Sequence, residues 1–393
     1  MRRMLTFCGA LAAGEFIVSP ASTWAEAWPI AAIAAVLVAL LGYGLAARGW
    51  PLGFAFLLGV ALFLHASVGS EREFRNCPWM RNRAYRGRLV AEERQGLMAA
   101  ARRDLSRRAA IGISGDRETV ALGRAILLGE RSRLPLATKR VFVESGTMHV
   151  FAISGLHVMT VAQVLVMLMA LLFVPRRWAG AVTLPFLWGY VGLIGWTPSA
   201  IRAALMATFY LLAPVFWRRP NALRAWALAF LVVHLSSPTM IVNVGNALSF
   251  GVMLAIILVG ERMRNEPEWK RLLAVTLAAW AAGVPISAHV FGRVTPGGLL
   301  ANLVLLPAAA CTVASGVTGI LASFVSVSLA AHLNNLSALL IRAMVGVSRM
   351  VSSLPGANFE VARWSYAECA AWYAVIVLSI ILLFSLRARR LFG

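Results

Sequence analysis

Apolar runs about 20 residues long recur from one end of the chain to the other, the length a helix needs to cross the hydrocarbon core of a bilayer. Unpaired backbone N–H and C=O groups are too costly in that solvent, so a crossing chain forms helices or a closed barrel. A barrel requires strands that alternate apolar and polar residues. No such period-2 segments occur, and the expected fold is all-α: a polytopic transmembrane helical bundle. The runs lie near 4–19, 29–47, 51–68, 150–174, 179–196, 199–217, 222–236, 244–260, 271–291, 297–316, 323–351 and 368–386. That makes about 12 spans, each of bilayer length. Composition agrees, since 60% of the 393 residues are hydrophobic and 13% are charged, against roughly 25% charged in a soluble domain.

The charges that remain are lopsided. The net charge is +21, almost all of it from arginine, with Lys139 and Lys270 the only lysines. Two readings stand: an anionic partner such as nucleic acid or anionic lipid, and the excess of basic residues that cytoplasmic loops carry. The clusters Arg176-Arg177, Arg218-Arg219 with Arg224, and Arg262, Arg264, Lys270 and Arg271 are each separated by two spans. They are therefore expected on one side, the cytoplasm, and the uncharged turns at Thr197-Pro198 and Ser236-Ser237-Pro238 on the other. Residues 70–118 form the one long polar stretch, with twelve arginines against seven acids. The span count puts this stretch outside, and its Arg102-Arg103 and Arg107-Arg108 pairs suggest a basic helix lying on the membrane surface. The chain thus divides into N-terminal spans (1–69), a basic extramembrane segment (70–118) and a transmembrane core (119–393).

Two segments depart from plain spans. Residues 332–354 place Leu333, Leu336, Leu340, Met344, Val347 and Val351 on one helical face and Asn335, Arg342 and Arg349 on the other. That pattern reads as an amphipathic helix at the interface or lining a wet cavity. Near 295–307, Pro296-Gly297-Gly298 and Pro307 interrupt an apolar run, as in helices broken at membrane depth. The four cysteines form no CxxC, so neither a redox nor a zinc framework is expected. Met1-Arg2-Arg3 with its apolar stretch reads as a first membrane helix rather than a signal peptide.

The stretch Leu128-Gly129-Glu130-Arg131, then Gly146-Thr147-Met148-His149-Val150-Phe151-Ala152-Ile153-Ser154-Gly155-Leu156-His157-Val158, resembles the ComEC-type competence family. There a Leu-Leu-Gly-Asp-Arg segment precedes a His-Leu-Leu-Ala-Ile-Ser-Gly-Leu-His-Val signature. Pro198-Ser199-Ala200-Ile201-Arg202-Ala203-Ala204-Leu205-Met206 is similar to the family's Ser-Val-Val-Arg-Ala-Ala-Leu-Met span. Pro285, Phe291-Gly292, Asn302 and Pro307, then Ser353-Leu354-Pro355-Gly356, follow its later blocks in order. The resemblance implies an inner-membrane channel passing single-stranded DNA into the cytoplasm during natural transformation. Full-length family members also carry an OB-fold insert, and many carry a metallo-β-lactamase-like domain. Here the residues between Val68 and Val120 are too few for the barrel, and no HxHxDH motif occurs. Met159 stands where glycine is usual, and Gly245-Asn246-Ala247-Leu248-Ser249-Phe250 departs from Gly-Phe-Gln-Leu-Ser-Phe. The expectation is a reduced or partner-dependent channel, with separate OB-fold and nuclease proteins and membrane lipids as partners and a homo-oligomer left open. A transporter of a smaller anionic solute and a non-transporting membrane subunit are the alternatives.

The residues expected along the substrate path are Ser154, Gly155, His157, His149, Arg202 and Asn302. On one continuous helix, His149 and His157 would stand ~12 Å apart along the axis and ~80° apart around it. An ionisable group inside a membrane points to function, while Ser154-Gly155 also suits close helix packing across which His157 could bond. Arg202 could snorkel to the interface or meet phosphates. Asn302 could pair with backbone groups freed near Pro307 or with substrate. Arg140 and Glu144 form a plain i, i+4 pair, and Trp28, Trp50, Trp178, Trp196 and Trp217 mark span ends. Ser154 beside His157 invites a hydrolase reading, but no carboxylate lies in the same run to orient the base. Neither enzymatic activity, nor a metal, nor a cofactor is expected.

Overall fold

The computed structural model describes residues 96–236 apart from 152, then 243–376 and 378. The runs at 4–19, 29–47 and 51–68, the stretch 70–95, Cys8, Cys77, Trp28 and Trp50 lie outside the described residues, as does the end of the last run from 379 on. The described chain is an all-α helical bundle. It falls into two compact units, which among the described residues are 96–229 with Thr295–Asn358, and Phe230–Val294 with the residues from Phe359 on.

The first unit contains α1 (Leu97–Arg108), α2 (Arg117–Leu128), α3 (Leu136–Glu144), α4 (Gly155–Leu171), α5 (Arg176–Leu193) and α6 (Pro198–Leu212). A 3-10 turn, Ala213–Phe216, extends α6. After the excursion into the other unit come α10 (Gly297–Ala322) and α11 (Val327–Ser352), which pack as a hairpin. Asp116 starts α2 by accepting from the Thr119 N–H at 3.0 Å, and Gly129 ends it at φ 71, a conformation glycine adopts without a side-chain penalty. The core lies where α2, α3 and α10 meet α11 and α4 packs on α10, and Leu122, Ile126, Phe142, Phe151, Leu305 and Met344 are fully buried there.

Small residues let these helices approach, as in membrane bundles generally. A Cβ at Gly180 of α5 would stand 2.5 Å from the Leu211 carbonyl of α6, and one at Gly319 of α10 would stand 2.5 Å from Asn334 Oδ1 of α11. The same rule shapes α11, read over 332–354 as an amphipathic helix, in which Asn335, Arg342 and Arg349 are exposed. Of the six residues assigned to one apolar stripe, Met344 and Val351 are buried, whereas Leu336 is 48% exposed. The face turned into the protein carries Asn334, Ser337, Ala338, Ile341 and Ser348. Arg342 and Arg349 of α11 meet acids at the start of α2, Asp116 at 2.9 Å and Glu118 at 3.8 Å.

The basic pairs of α1 also divide. Arg102 donates to the Leu128 carbonyl at 2.8 Å and pairs with Glu130 at 3.7 Å, while Arg108 bonds Asp104 and Ser323 and lies 3.9 Å over the Phe324 ring. One member of each pair therefore serves the protein interior, and α1 packs against α5 and α10.

α7 (Ala222–Ser236) carries the chain into the second unit, which contains α8 (Val244–Arg262) and α9 (Glu268–Phe291). Two-residue strands β1 (Arg293–Val294) and β2 (Phe359–Glu360) pair antiparallel, and another helix begins after Ser365. Pro285 lies inside α9, where it cannot donate to the carbonyl of Ala281. Trp372 Nε1 supplies the missing donor at 3.0 Å, and Tyr373 donates to the Ala282 carbonyl at 2.8 Å. His234, fully buried, gives its Nδ1 proton to the Phe230 carbonyl at 2.8 Å and takes a bond from Asn246 Nδ2 at 3.3 Å. Asn246 is one of the residues where this chain departs from the family pattern.

Three helices among the described residues, α8, α9 and α10, are long and apolar enough to cross a membrane; α4, α6 and α7 are apolar but shorter. Pro307, expected to break a helix, lies inside the continuous α10, and Pro296-Gly297 instead begins it. The interruption that does occur precedes α4, where the sequence reads as one unbroken span.

Candidate functional site

The signature does not lie on one helix. His149 sits in a 3-10 turn, Met148–Phe151, and α4 starts only at Gly155. The axial and angular separation expected for His149 and His157 on a common helix therefore does not apply. Ser154 is the residue before α4, with extended backbone at φ −112 and ψ 177, and His157 is the third residue of the helix.

That position gives His157 a definite local task. The Ser154 backbone N–H donates to His157 Nδ1 at 3.3 Å, and Ser154 Oγ lies 3.1 Å from the same nitrogen. This is a capping box in which an imidazole stands where Glu or Gln is usual. A ring whose Nδ1 accepts from a backbone N–H carries its proton on Nε2 when neutral. His157 is 1% exposed, with its Nε2 buried. The Val150 backbone hydrogen-bonds this imidazole, and the His149 ring and the Arg131 guanidinium act on it electrostatically. Both His149 and Arg131 are exposed, so the buried ring stands behind two accessible basic groups.

The surrounding motifs hold the break open. Ser199, in the first turn of α6, donates from Oγ to the Ile153 carbonyl at 2.6 Å. A Cβ at Gly129 would stand 2.8 Å from Ile153 Cδ1, so the Leu128-Gly129-Glu130-Arg131 turn packs onto the same residue. Tyr190 of α5 donates to the Leu127 carbonyl at 3.0 Å. Two segments distant in sequence thus converge on Ile153, and α5 braces one of them through Leu127. Arg202, three residues beyond Ser199, is only 7% exposed, so its guanidinium does not simply reach for the surface from the start of α6. Asn302 stands on α10, which packs against α4; its Oδ1 is buried without a hydrogen-bond partner.

Ser154, Gly155, His157 and His149 are therefore gathered around one helix start, Arg202 lies on a helix tied to it, and Asn302 lies on α10, which packs against α4 and the 3-10 turn Met148–Phe151. Arg131 and Ser199 were visible only as parts of longer strings; their signal was the recurrence of short motifs far apart in sequence. The Ser154–His157 contact is a helix cap, with no carboxylate orienting the ring. Among the described residues no group of three or more His, Cys, Asp or Glu is placed to hold a metal. Arg140 and Glu144 pair on the surface at 2.7 Å as expected.

A family model described as "Competence protein" matches residues 126–386, from the last turn of α2 through the whole signature and beyond. The chain belongs to the competence protein family. It is similar to "ComE operon protein 3" of Bacillus subtilis (strain 168), 29% identical over 213 residues that make up 54% of this chain and 27% of that protein. "Competence protein ComA" of Neisseria gonorrhoeae is 32% identical over 202 residues, 48% of this chain and 28% of the relative. An uncharacterized protein of Aquifex aeolicus (strain VF5) is 32% identical over 211 residues, 53% of this chain and 49% of its own length. The chain thus spans between 27% and 49% of these relatives. No solved structure matches. Membership of this family together with the apolar helices makes the chain a membrane protein.

Proposed function

We propose that the chain is the membrane core of a competence-type channel, spanning the bacterial inner membrane several times and passing single-stranded DNA during natural transformation. The observation that carries this reading is the start of α4. A buried imidazole stands at a helix N-terminus, with Arg131 and His149 accessible beside it. Helix N-termini favour anions, and phosphate contacts dominate affinity for nucleic acid. No Asp or Glu occurs between Glu144 and Glu261, the stretch that contains His149, Ser154, His157 and Arg202. In this reading Ser154, Gly155, His157, His149, Arg202 and Asn302 border the strand's path, and the protein moves its substrate without chemical change. Separate OB-fold and nuclease proteins would capture and trim the DNA.

The test is DNA uptake, normalised to the amount of protein in the membrane, with each variant restored to a deletion strain. His157→Ala should leave protein levels near normal and abolish uptake, because the Ser154 hydroxyl remains to cap α4. Arg202→Gln should weaken uptake in a salt-sensitive way. Full uptake by His157→Ala would reduce the signature to a structural cap. A deletion that leaves transformation untouched would remove the DNA reading and favour a smaller anionic solute.

A further inference from the structure

Three consecutive helices end on an aromatic residue in the left-handed backbone region: Phe173 after α4 (φ 57), Trp196 after α5 (φ 52) and Trp217 after α6 and its 3-10 turn (φ 54). Glycine is the usual occupant of that place, and a bulky side chain there is strained. Strain of this kind persists where the side chain is needed elsewhere.

Two of the three, Phe173 and Trp217, stand at one end of the α4–α5–α6 group. Arg177, in the first turn of α5, donates to the Val215 carbonyl at 3.0 Å and lies 3.9 Å over the Trp217 ring. These contacts bring Arg176 next to Arg218 and Arg219, all three exposed. Among the described residues no salt bridge reaches them, and the acid-free interval from Glu144 to Glu261 contains the whole patch. Phe173 is 93% exposed and Trp217 79%. The apolar rim continues along the helices without a break. Trp178, Val182 and Phe186 form an exposed stripe down α5, and Met167 and Leu171 do so on α4.

We propose that this end of α4–α6 binds an anionic phospholipid, its phosphate held by Arg176, Arg218 and Arg219 and its chains lying along the exposed stripes. Phe173, Trp178 and Trp217 sit at the level between headgroup and hydrocarbon, where aromatic rings are favoured. Arg177 is a positioning residue, since its guanidinium is already engaged by Trp217 and Val215. A strand of DNA would satisfy the arginines but would leave the stripes uncovered, so a lipid fits both halves of the surface. The inference is independent of whether the protein passes DNA.

The experiment uses the full chain purified in a nonionic detergent, measuring thermal unfolding and, by native mass spectrometry, retained lipid. Phosphatidylglycerol should raise the unfolding temperature and stay bound, while phosphatidylcholine should do neither. With each arginine near a lipid surface worth roughly fivefold in affinity, the double variant Arg218→Gln, Arg219→Gln should weaken phosphatidylglycerol binding roughly 30-fold. Its own unfolding temperature without lipid should match the parent's. Trp217→Ala, which releases Arg177, should weaken binding less than the double variant. Equal effects of the two lipids on the parent would overturn the proposal, as would undiminished phosphatidylglycerol binding by the double variant. Stabilisation by a single-stranded oligonucleotide that depends on Arg218 and Arg219, with none from phosphatidylglycerol, would reassign the patch to nucleic acid.

Discussion

Gly180→Ala should be the most damaging single-methyl addition in the α4–α6 group, and its cost can be worked from the crossing of α5 with α6. The new Cβ would stand 2.5 Å from the Leu211 carbonyl oxygen and 3.1 Å from Leu211 Cβ. Both are fixed parts of α6 rather than the tip of a flexible side chain, so the helices themselves must separate. Restoring an ordinary contact of 3.4 Å requires an opening of about 3.4 − 2.5 = 0.9 Å. One turn away, Arg177 reaches the Val215 carbonyl at 3.0 Å. The same opening carries that bond beyond hydrogen-bond range, and bonds to charged groups are worth about 1.5–3 kcal/mol. Overpacking of a close interface costs about 1–3 kcal/mol, and the better helix propensity of alanine returns about 1 kcal/mol. The control is Gly189→Ala on the same helix, where a Cβ meets nothing within 4 Å; there only the propensity gain applies. The two variants should therefore differ by about 2 kcal/mol or more. Thermal unfolding of the purified proteins in one detergent reads the difference directly. A Gly180→Ala protein as stable as Gly189→Ala would refute the close crossing.

Asp116→Ala should cost about 0.5–2 kcal/mol at neutral pH by removing the N-cap of α2, and thermal unfolding against pH checks the sign. The Thr119 hydroxyl and N–H, with Arg342 beside them, hold the Asp116 carboxyl below its ordinary value of 3.8. Folding thus favours the ionised form: the contribution is fully present above the ordinary value, fades as pH falls through the lower folded value, and is missing from the variant. Trp372→Phe should cost about 1–3 kcal/mol, since it keeps the ring but strands the Ala281 carbonyl that Pro285 has freed. Replacing Pro285 with Ala in the same chain restores the helix's own donor and should recover most of the loss in a double-mutant cycle.

Much of the fold is legible in the sequence because bilayer length and backbone satisfaction leave so few solutions. The runs at 222–236, 244–260 and 271–291 correspond to α7, α8 and α9 within a few residues. The basic clusters at Arg176-Arg177 and Arg218-Arg219 do share one end of α4–α6, as the Arg177–Val215 bond shows. α11 was legible as an amphipathic helix with Asn335, Arg342 and Arg349 exposed, but which residues pack was not. Amphipathic reasoning takes the large apolar stripe as the packed face, a rule made for helices in water. In hydrocarbon that stripe can face lipid, and close packing goes to small residues, which is why Asn334, Ser337, Ala338 and Ser348 are inside while Leu336 and Leu339 are exposed.

The signature escaped for a different reason. An apolar run reports burial, and burial is the same for a helix and for an irregular segment wrapped in protein. Residues 150–158 are apolar enough to read as the start of a span, yet the chain leaves the 3-10 turn and begins α4 afresh at Gly155. The clue was the spacing of Ser154 and His157, three apart, which is a capping box if the third residue can accept. Imidazole can, and it brings what Glu or Gln at that place would not: a second ring nitrogen, left over after the cap is made. Function at this position therefore requires that the cap and the second nitrogen be separable. His157→Gln tests that directly, since glutamine keeps the capping acceptor and removes the ring. It should preserve the folded protein and its thermal stability while losing uptake. If His157→Gln transports as well as the parent, the cap alone accounts for histidine at this position, and the buried Nε2 has no further task.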